Sequence, residues 1–302
     1  MKKKVLILGG GLSKEREISL KSAKAVFKSI KKKYNAEIFD PSKDIFHKIL
    51  SFKPDVVFNA LHGRFGEDGF IQTILENLKV KYTHSGVLAS MKAMDKEVSK
   101  NIFLQNKILT PKFLKIKSQF NHAEFKKIKK KLKFPVVIKP LNEGSSLGVY
   151  ICNIKNFLKS LRKLQDYKEV LVEQYIPGRE IQAAILGNKK LGAIELKPKR
   201  KFYDYQAKYN SKANTSHIIP VNISKKNYNT LMTIALKAHK VIKCRGVTRS
   251  DFKFYKNKFY LLEINTQPGL TNLSLVPEIA QYNGMSFDTL IDWMIKDASK
   301  KR

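Results

Sequence analysis

The sequence predicts an α/β protein with more than one lobe. Two patterns carry that prediction. Short β-branched runs alternate with stretches whose apolar residues recur at helical spacing. The first strand ends in three glycines, Gly9, Gly10 and Gly11, which lack the spacing of a dinucleotide fingerprint but let a loop approach a small ligand closely. The length of 302 residues allows two domains or three small lobes, and 43% hydrophobic residues can bury a sizeable core.

The elements follow in order. Residues 5–8 read as a buried strand. Over 19–34, Leu20, Ala23, Phe27, Ile30 and Tyr34 recur at helical spacing. Residues 55–60 read as a second buried strand, and 70–78 as a short helix with Ile71, Ile74, Leu75 and Leu78 on one face. Together these form an N-terminal lobe with a doubly wound parallel sheet, residues 1–91. Asp95 is placed to N-cap a helix through Asn106, and Pro111 stops it; Asn121 is placed to cap a helix over 123–131. Strands at 135–139 and 147–151 flank a glycine-containing loop. A helix with Phe157, Leu158, Leu161 and Leu164 then leads to a strand at 170–175. This is a central α+β lobe, residues 92–178. The C-terminal lobe, 179–302, begins with strands at 181–186 and 191–196. A polar, aromatic stretch without periodicity follows at 199–216. A helix over 225–243, a hairpin of 247–254 and 258–264, and a helix burying Phe287, Leu290, Ile291, Met294 and Ile295 complete it.

Charge is the unusual feature. There are 59 Lys and Arg against 25 Asp and Glu, a formal +34. Such a balance points toward a polyanion partner. Two observations oppose that reading: only eight of the cations are arginines, and the lysines are spread through the chain. Two cysteines, Cys152 and Cys244, exclude a disulfide framework and a four-cysteine zinc site, and they suit a reducing compartment. The lysines at 2–4 followed by apolar residues 5–8 imitate a signal peptide, but the run is too short and no cleavage site follows. No stretch is long enough to span a membrane. The expected setting is the cytoplasm.

The densest chemistry lies in the late hairpin. Arg249 and Asp251 share a face, as do Glu263 and Asn265. A turn centred on Asn257 with an odd loop over 256–258 would set Asp251 opposite Glu263 and Arg249 opposite Asn265. A two-residue turn without a bulge would put the two carboxylates on opposite faces. Two carboxylates and an amide oxygen make a hard-oxygen set suited to Mg2+ bridging phosphates, and the adjacent Arg can stabilise developing negative charge. Polar residues among Phe252, Phe254, Leu261 and Leu262 are costly unless they serve chemistry. Lys139 ends a strand and precedes Glu143-Gly144-Ser145-Ser146, a loop whose N–H groups can approach a polyphosphate. Glu15 follows the first strand and His62 the second, so both face the carboxyl ends of the first sheet, where such sheets place ligands. The stretch Phe202-Tyr203-Asp204-Tyr205-Gln206-Ala207-Lys208-Tyr209 reads as a water-excluding lid.

These motifs in this order resemble the D-alanine–D-alanine ligase family of the ATP-grasp superfamily. The resemblance runs nearly end to end. It rests on Glu-Arg-Glu-Ile-Ser at 15–19, Ala-Leu-His-Gly-Arg at 60–64, Gly-Glu-Asp-Gly at 66–69, Met-Asp-Lys at 94–96, Glu-Gly-Ser-Ser at 143–146, Tyr-Asp-Tyr-Gln-Ala-Lys-Tyr at 203–209 and Glu-Ile-Asn-Thr-Gln-Pro-Gly at 263–269.

The resemblance implies an ATP-grasp fold and ATP-dependent joining of two D-alanines through a D-alanyl phosphate, for peptidoglycan precursors. It implies ATP between the central and C-terminal lobes. Lys96, Lys139, Ser146 and Lys208 would be on the nucleotide's phosphate side, Glu173 and Ile176 at the adenine and Glu180 at the ribose. Two Mg2+ or Mn2+ ions would be held by Asp251, Glu263 and Asn265. Glu15 would bind the first D-alanine's ammonium, with His62 near it. Ser274 and the Leu275 N–H would hold the second D-alanine's carboxylate. Arg249 and an N–H near Gly269 would stabilise the oxyanion, while Ser145 and Tyr209, linked to Glu15, would orient the reacting groups. It further implies a homodimer and no specific nucleic acid. Thr248, Leu270 and Tyr175 depart from the family's usual residues. The competing readings are a D-alanine–D-lactate or other dipeptide ligase, a non-catalytic relative, and a basic nucleic-acid-binding protein.

Overall fold

The computed structural model describes residues 1–42, 44–119, 122–145, 147–197, 215–271 and 274–300. Val5 to Leu8 are all fully buried, as a strand covered on both faces must be. They lie in β1 (Lys4–Leu8), the middle strand of a parallel sheet ordered β2-β1-β3. Its partners are β2 (Asn35–Phe39) and β3 (Val56–Asn59). The crossovers are α1 (Arg16–Ile30) and α2 (Ile45–Phe52), and α3 (Phe70–Asn77) follows. Val5, Ile7, Val56 and Phe58 pack to one side with α1, while Leu6, Leu8 and Val57 pack to the other with α2 and α3. The polar edge strand β2 and the helix α2 were not expected from the sequence.

Two helices lead out of this sheet, α4 (Val87–Met94) and α5 (Lys96–Gln105). Asp95 caps α5 as expected, its carboxylate accepting from the Glu97 and Val98 N–H groups. The second sheet is antiparallel and ordered β4-β7-β5-β6: β4 (Phe113–Lys117), β7 (Glu169–Gln174), β5 (Val136–Pro140), β6 (Tyr150–Cys152). Helices α6 (His122–Lys131) and α7 (Phe157–Arg162) cover it through Ile128, Phe157 and Leu161. The strand expected from 147 begins only at Tyr150. Residues before it turn instead, with the Leu147 N–H on the Gly144 carbonyl at 3.0 Å and Gly148 at φ +69°. Asn121 lies outside the described residues.

The third sheet is antiparallel, ordered β10-β9-β8-β11-β12. Its strands are β8 (Arg179–Leu186), β9 (Lys189–Lys197), β10 (Ser216–Ile218), β11 (Val247–Tyr255) and β12 (Lys258–Asn265). Helix α8 (Lys225–Ile242) packs on one face. On the other, α9 (Leu275–Tyr282) and α10 (Phe287–Asp297) share a core with α1 and the first sheet. That shared core ties the ends of the chain together.

The β11–β12 hairpin corrects one expectation and keeps its result. The turn has two residues, Lys256 and Asn257, at φ +46° and +59°, and Tyr255 pairs with Lys258. A bulge then re-phases the ladder: Phe252 faces Leu261, yet Asp251 faces Glu263 and Arg249 faces Asn265. The extra residue is Leu262. The expected pairs are therefore present, produced by a bulge and not by an odd-numbered turn.

Candidate active site

The hairpin's polar face is already tightly coupled. Arg249 donates from Nε to Asp251 Oδ1 at 2.8 Å and from Nη2 to Oδ2 at 3.1 Å. Both side chains are largely buried. Opposite them, Glu263 keeps 30% of its side chain exposed, and its Oε2 lies 4.0 Å from Lys96 Nζ. Asn265 Oδ1 accepts from the Gln267 N–H at 2.8 Å. These groups form the floor of two adjoining cavities.

The first cavity lies between the second and third sheets. It is lined by Lys96, Lys139, Glu173, Ile176, Glu180, Asp251, Leu262 and Glu263, with Tyr175 beside them. Lys139 and Glu173 face each other from β5 and β7, Nζ to Oε1 at 2.7 Å. Lys96, at the start of α5, donates to the Glu143 carbonyl at 2.6 Å. Burial pulls the Lys96 ammonium below its ordinary pKa, and nearby Glu263 opposes that shift. Burial would lift the Glu173 carboxyl, but Lys100 and Lys139 outweigh it and hold the group below the usual carboxylate range. Glu180 accepts from Lys253 Nζ at 2.9 Å.

The second cavity meets the carboxyl ends of the parallel sheet. Glu15, His62, Glu67, Ser145, Arg249, Asn265 and Gly269 line it, and it shares Lys96, Glu143 and Glu263 with the first. The Ser145 hydroxyl donates to Glu15 Oε1, which joins the central lobe to the N-terminal one. The notch around Glu15 requires glycine. A methyl on Gly63 would lie 2.7 Å from Glu15 Oε2, and one on Gly144 3.0 Å. His62 is buried with both ring nitrogens engaged, Nε2 with Ser22 Oγ at 3.0 Å and Nδ1 with Glu67 at 3.3 Å. A carboxylate only accepts, so Nδ1 carries the proton toward Glu67. Gln267 accepts from Asn59 Nδ2 at 2.8 Å and donates to the Leu61 carbonyl, clasping the loop after β12 to the end of β3.

Asp251, Glu263 and Asn265 supply hard oxygens that suit a divalent cation. No group of three His, Cys, Asp or Glu gathers in metal-ligating geometry among the described residues. The third oxygen here belongs to an amide, and both Asp251 oxygens are held by Arg249. Each Asp251 oxygen accepts one N–H and keeps a further lone pair, so the donor chemistry fits Mg2+.

Most of the residues singled out in the sequence therefore converge. Ser274 and Leu275 do not line either cavity. Ser274 Oγ accepts from the Thr271 N–H at 2.8 Å, and Leu275 is buried in the core at the first position of α9. They adjoin the second cavity through Gly269, where a methyl would lie 2.9 Å from Ser274 Oγ. Ser146 lies outside the described residues, as do Lys208 and Tyr209 with the lid they belong to. Sequence reasoning missed Lys100, Lys253, Glu67 and Gln267. Lys100 is one helical turn from Lys96, and Lys253 is two residues along β11 from Asp251, so both offered a spacing signal. Thr248, one of the departures, bonds the buried His239 at 2.8 Å, and Leu270, another, is a core residue.

The chain resembles known proteins over nearly its whole length. Residues 104–296 match the family described as D-ala D-ala ligase C-terminus, and residues 39–85 match D-ala D-ala ligase N-terminus. The chain is 62% identical to the D-alanine–D-alanine ligase of Pelagibacter ubique (strain HTCC1062), over all of both chains. It is 44% identical to that of Wolbachia pipientis wMel, covering 97% of this chain and 94% of that one. Among solved structures, the D-alanine–D-alanine ligase from Bacillus anthracis complexed with ATP superposes with a TM-score of 0.85 at 27% identity, covering 98% of this chain and 97% of that one.

Proposed function

The chain belongs to the D-alanine–D-alanine ligase family, an ATP-grasp fold, and we propose from that premise how its own residues divide the work of joining two D-alanines. The observation that carries the reading is the junction of the two cavities at Lys96, Glu143 and Glu263. A nucleotide in the first cavity thereby presents its γ-phosphate to an amino acid in the second.

In this reading ATP lies with its adenine near Glu173 and Ile176, its ribose near Glu180, and its phosphates near Lys96 and Lys139. Ser146 and Lys208 complete the phosphate contacts. Glu15 holds the first D-alanine's ammonium, and Ser145 and Tyr209 fix Glu15. The first carboxylate attacks the γ-phosphorus, ADP leaves, and a D-alanyl phosphate forms. The second D-alanine's amine attacks that carbonyl, and phosphate leaves. Arg249 and an N–H near Gly269 face the oxyanion, while Ser274 and the Leu275 N–H at a helix start suit a carboxylate. Two Mg2+ or Mn2+ ions on Asp251, Glu263 and Asn265 would neutralise phosphate charge. His62, with both nitrogens spoken for, braces the wall by the first substrate. The lobes divide at 1–91, 92–178 and 179–302, one sheet to each.

The setting we propose is the cytoplasm, in peptidoglycan precursor synthesis for cell wall and cell shape. Both cysteines are buried free thiols, and no helix among the described residues is long and apolar enough to cross a membrane. Exposed Leu12, Phe46, Phe65 and Phe70 on the first lobe favour a homodimer through that face. The deciding assay is purified protein with ATP, Mg2+ and D-alanine, read by product mass and ADP release. D-alanyl-D-alanine is the expected product, and a D-lactate arm separates the depsipeptide reading. Absence of ATP turnover with D-alanine alone overturns the assignment. Asp251→Asn and Glu263→Gln should each abolish product while the fold persists by circular dichroism.

A further inference from the structure

A fully buried lysine with no access to either cavity needs a reason, because taking an ammonium out of water is expensive. Lys100 is that residue: it is 0% exposed and lines neither cavity. It sits on α5 one turn after Lys96. Its Nζ lies 2.9 Å from Glu173 Oε2 and donates to Thr110 Oγ1 at 2.8 Å, with the Phe113 ring 5.7 Å away. The other Glu173 oxygen is taken by Lys139 at 2.7 Å. One buried carboxylate thus carries two ammonium groups, one reaching the nucleotide cavity and one sealed behind it.

Oε2 of Glu173 is buried and faces the Lys100 ammonium as its charged partner. The two cations are not equivalent. Lys139 lines the cavity and Lys100 does not. Were Lys139 the sole partner, its move toward an arriving phosphate would leave Glu173 as an uncompensated buried charge. A second, permanent cation removes that penalty.

We propose that Lys100 is a positioning residue for the nucleotide: it keeps Glu173 paired, and so lets Lys139 leave Glu173 for a phosphate. The proposal rests on the reading that the first cavity takes ATP. Burial lowers the Lys100 ammonium to about 8, with Glu173 opposing the shift, so the charge is present at neutral pH.

The test is ATP affinity by calorimetry for the native protein, Lys100→Met, Glu173→Gln and the double variant, with steady-state kinetics alongside. Lys100→Met should weaken ATP binding by about tenfold or more, while kcat at saturating ATP and KM for D-alanine change by less than about threefold. In the Glu173→Gln background, the same substitution should cost less than about twofold, because the charge it serves is gone. Lys100→Gln keeps a polar contact without the charge and should repeat the ATP loss, which covers the case in which the methionine variant fails to fold. Native-like ATP affinity in both Lys100 variants, or an undiminished loss in the Glu173→Gln background, overturns the proposal alone. No ATP binding by the native protein overturns the nucleotide reading beneath it.

Discussion

Glu15 sits in a notch cut to its size. Gly63 is at φ +72°, and a methyl there would fall 2.7 Å from the Glu15 carboxylate. Gly63→Ala therefore combines a strained backbone with a displaced carboxylate, about 1 kcal/mol or more for the strain. We expect kcat/KM for D-alanine to fall by about tenfold or more, with ATP affinity nearly unchanged. Equal losses for both substrates would show general destabilisation instead. At this scale the sequence was informative about identity and poor about partnership. Glu15 and His62 were legible from their place after strands, and Arg249 from the face it shares with Asp251 in the late hairpin. That His62 would spend both nitrogens on Ser22 and Glu67, or that Arg249 would hold both oxygens of Asp251, depends on groups distant in the chain or on rotamers.

Helix α5 shows what an element contributes. Its Asp95 cap satisfies two N–H groups at the turn that carries Lys96. Asp95→Ala should cost about 1 kcal/mol of stability by denaturant titration. It should also raise KM for ATP more than KM for D-alanine, since the loosened turn bears the phosphate-side lysine. This helix was legible because a cap and a terminating proline agree. Helix α4 was not: its buried face is Ala89, Ser90 and Ala93, while Leu88 and Met91 are exposed, so its polarity pattern runs opposite to the usual rule. Strand β2 escaped for a related reason. It is a half-exposed edge, with little alternation to find.

For the whole molecule, most of the charge of +34 lies away from the two cavities. The lysines that meet the cavities are few, and many others are exposed. The apolar face of the first lobe makes a sharper prediction. Phe65 and Phe70 meet edge-on at 5.4 Å and are 38% and 55% exposed. Phe70→Glu should convert a dimer to a monomer by light scattering, and a native monomer would refute that interface. Global stability should also depend on acid. Burial lowers the His239 imidazole to about 4, against an unfolded value near 6.5. The unfolded chain then binds the extra proton, so this contribution is complete above about pH 6.5 and disappears as pH falls toward 4. His239→Gln should flatten that part of the pH–stability curve, measured by urea midpoints. An unchanged slope would assign it to other groups.

The single extra residue in β12 has a consequence for chain length. Beyond it, the hairpin is in phase with the apolar core through Phe252 and Leu261; before it, the hairpin is in phase with the chemistry through Asp251 and Glu263. Insertions at the tip would alter only the tip. Inserting one residue between Leu262 and Glu263, with the tip register kept, would set Glu263 opposite Ser250 and turn Glu263 and Asn265 to the opposite side. Such a chain would keep every reactive side chain in its sequence and still be inert, a loss that no inventory of residues would detect.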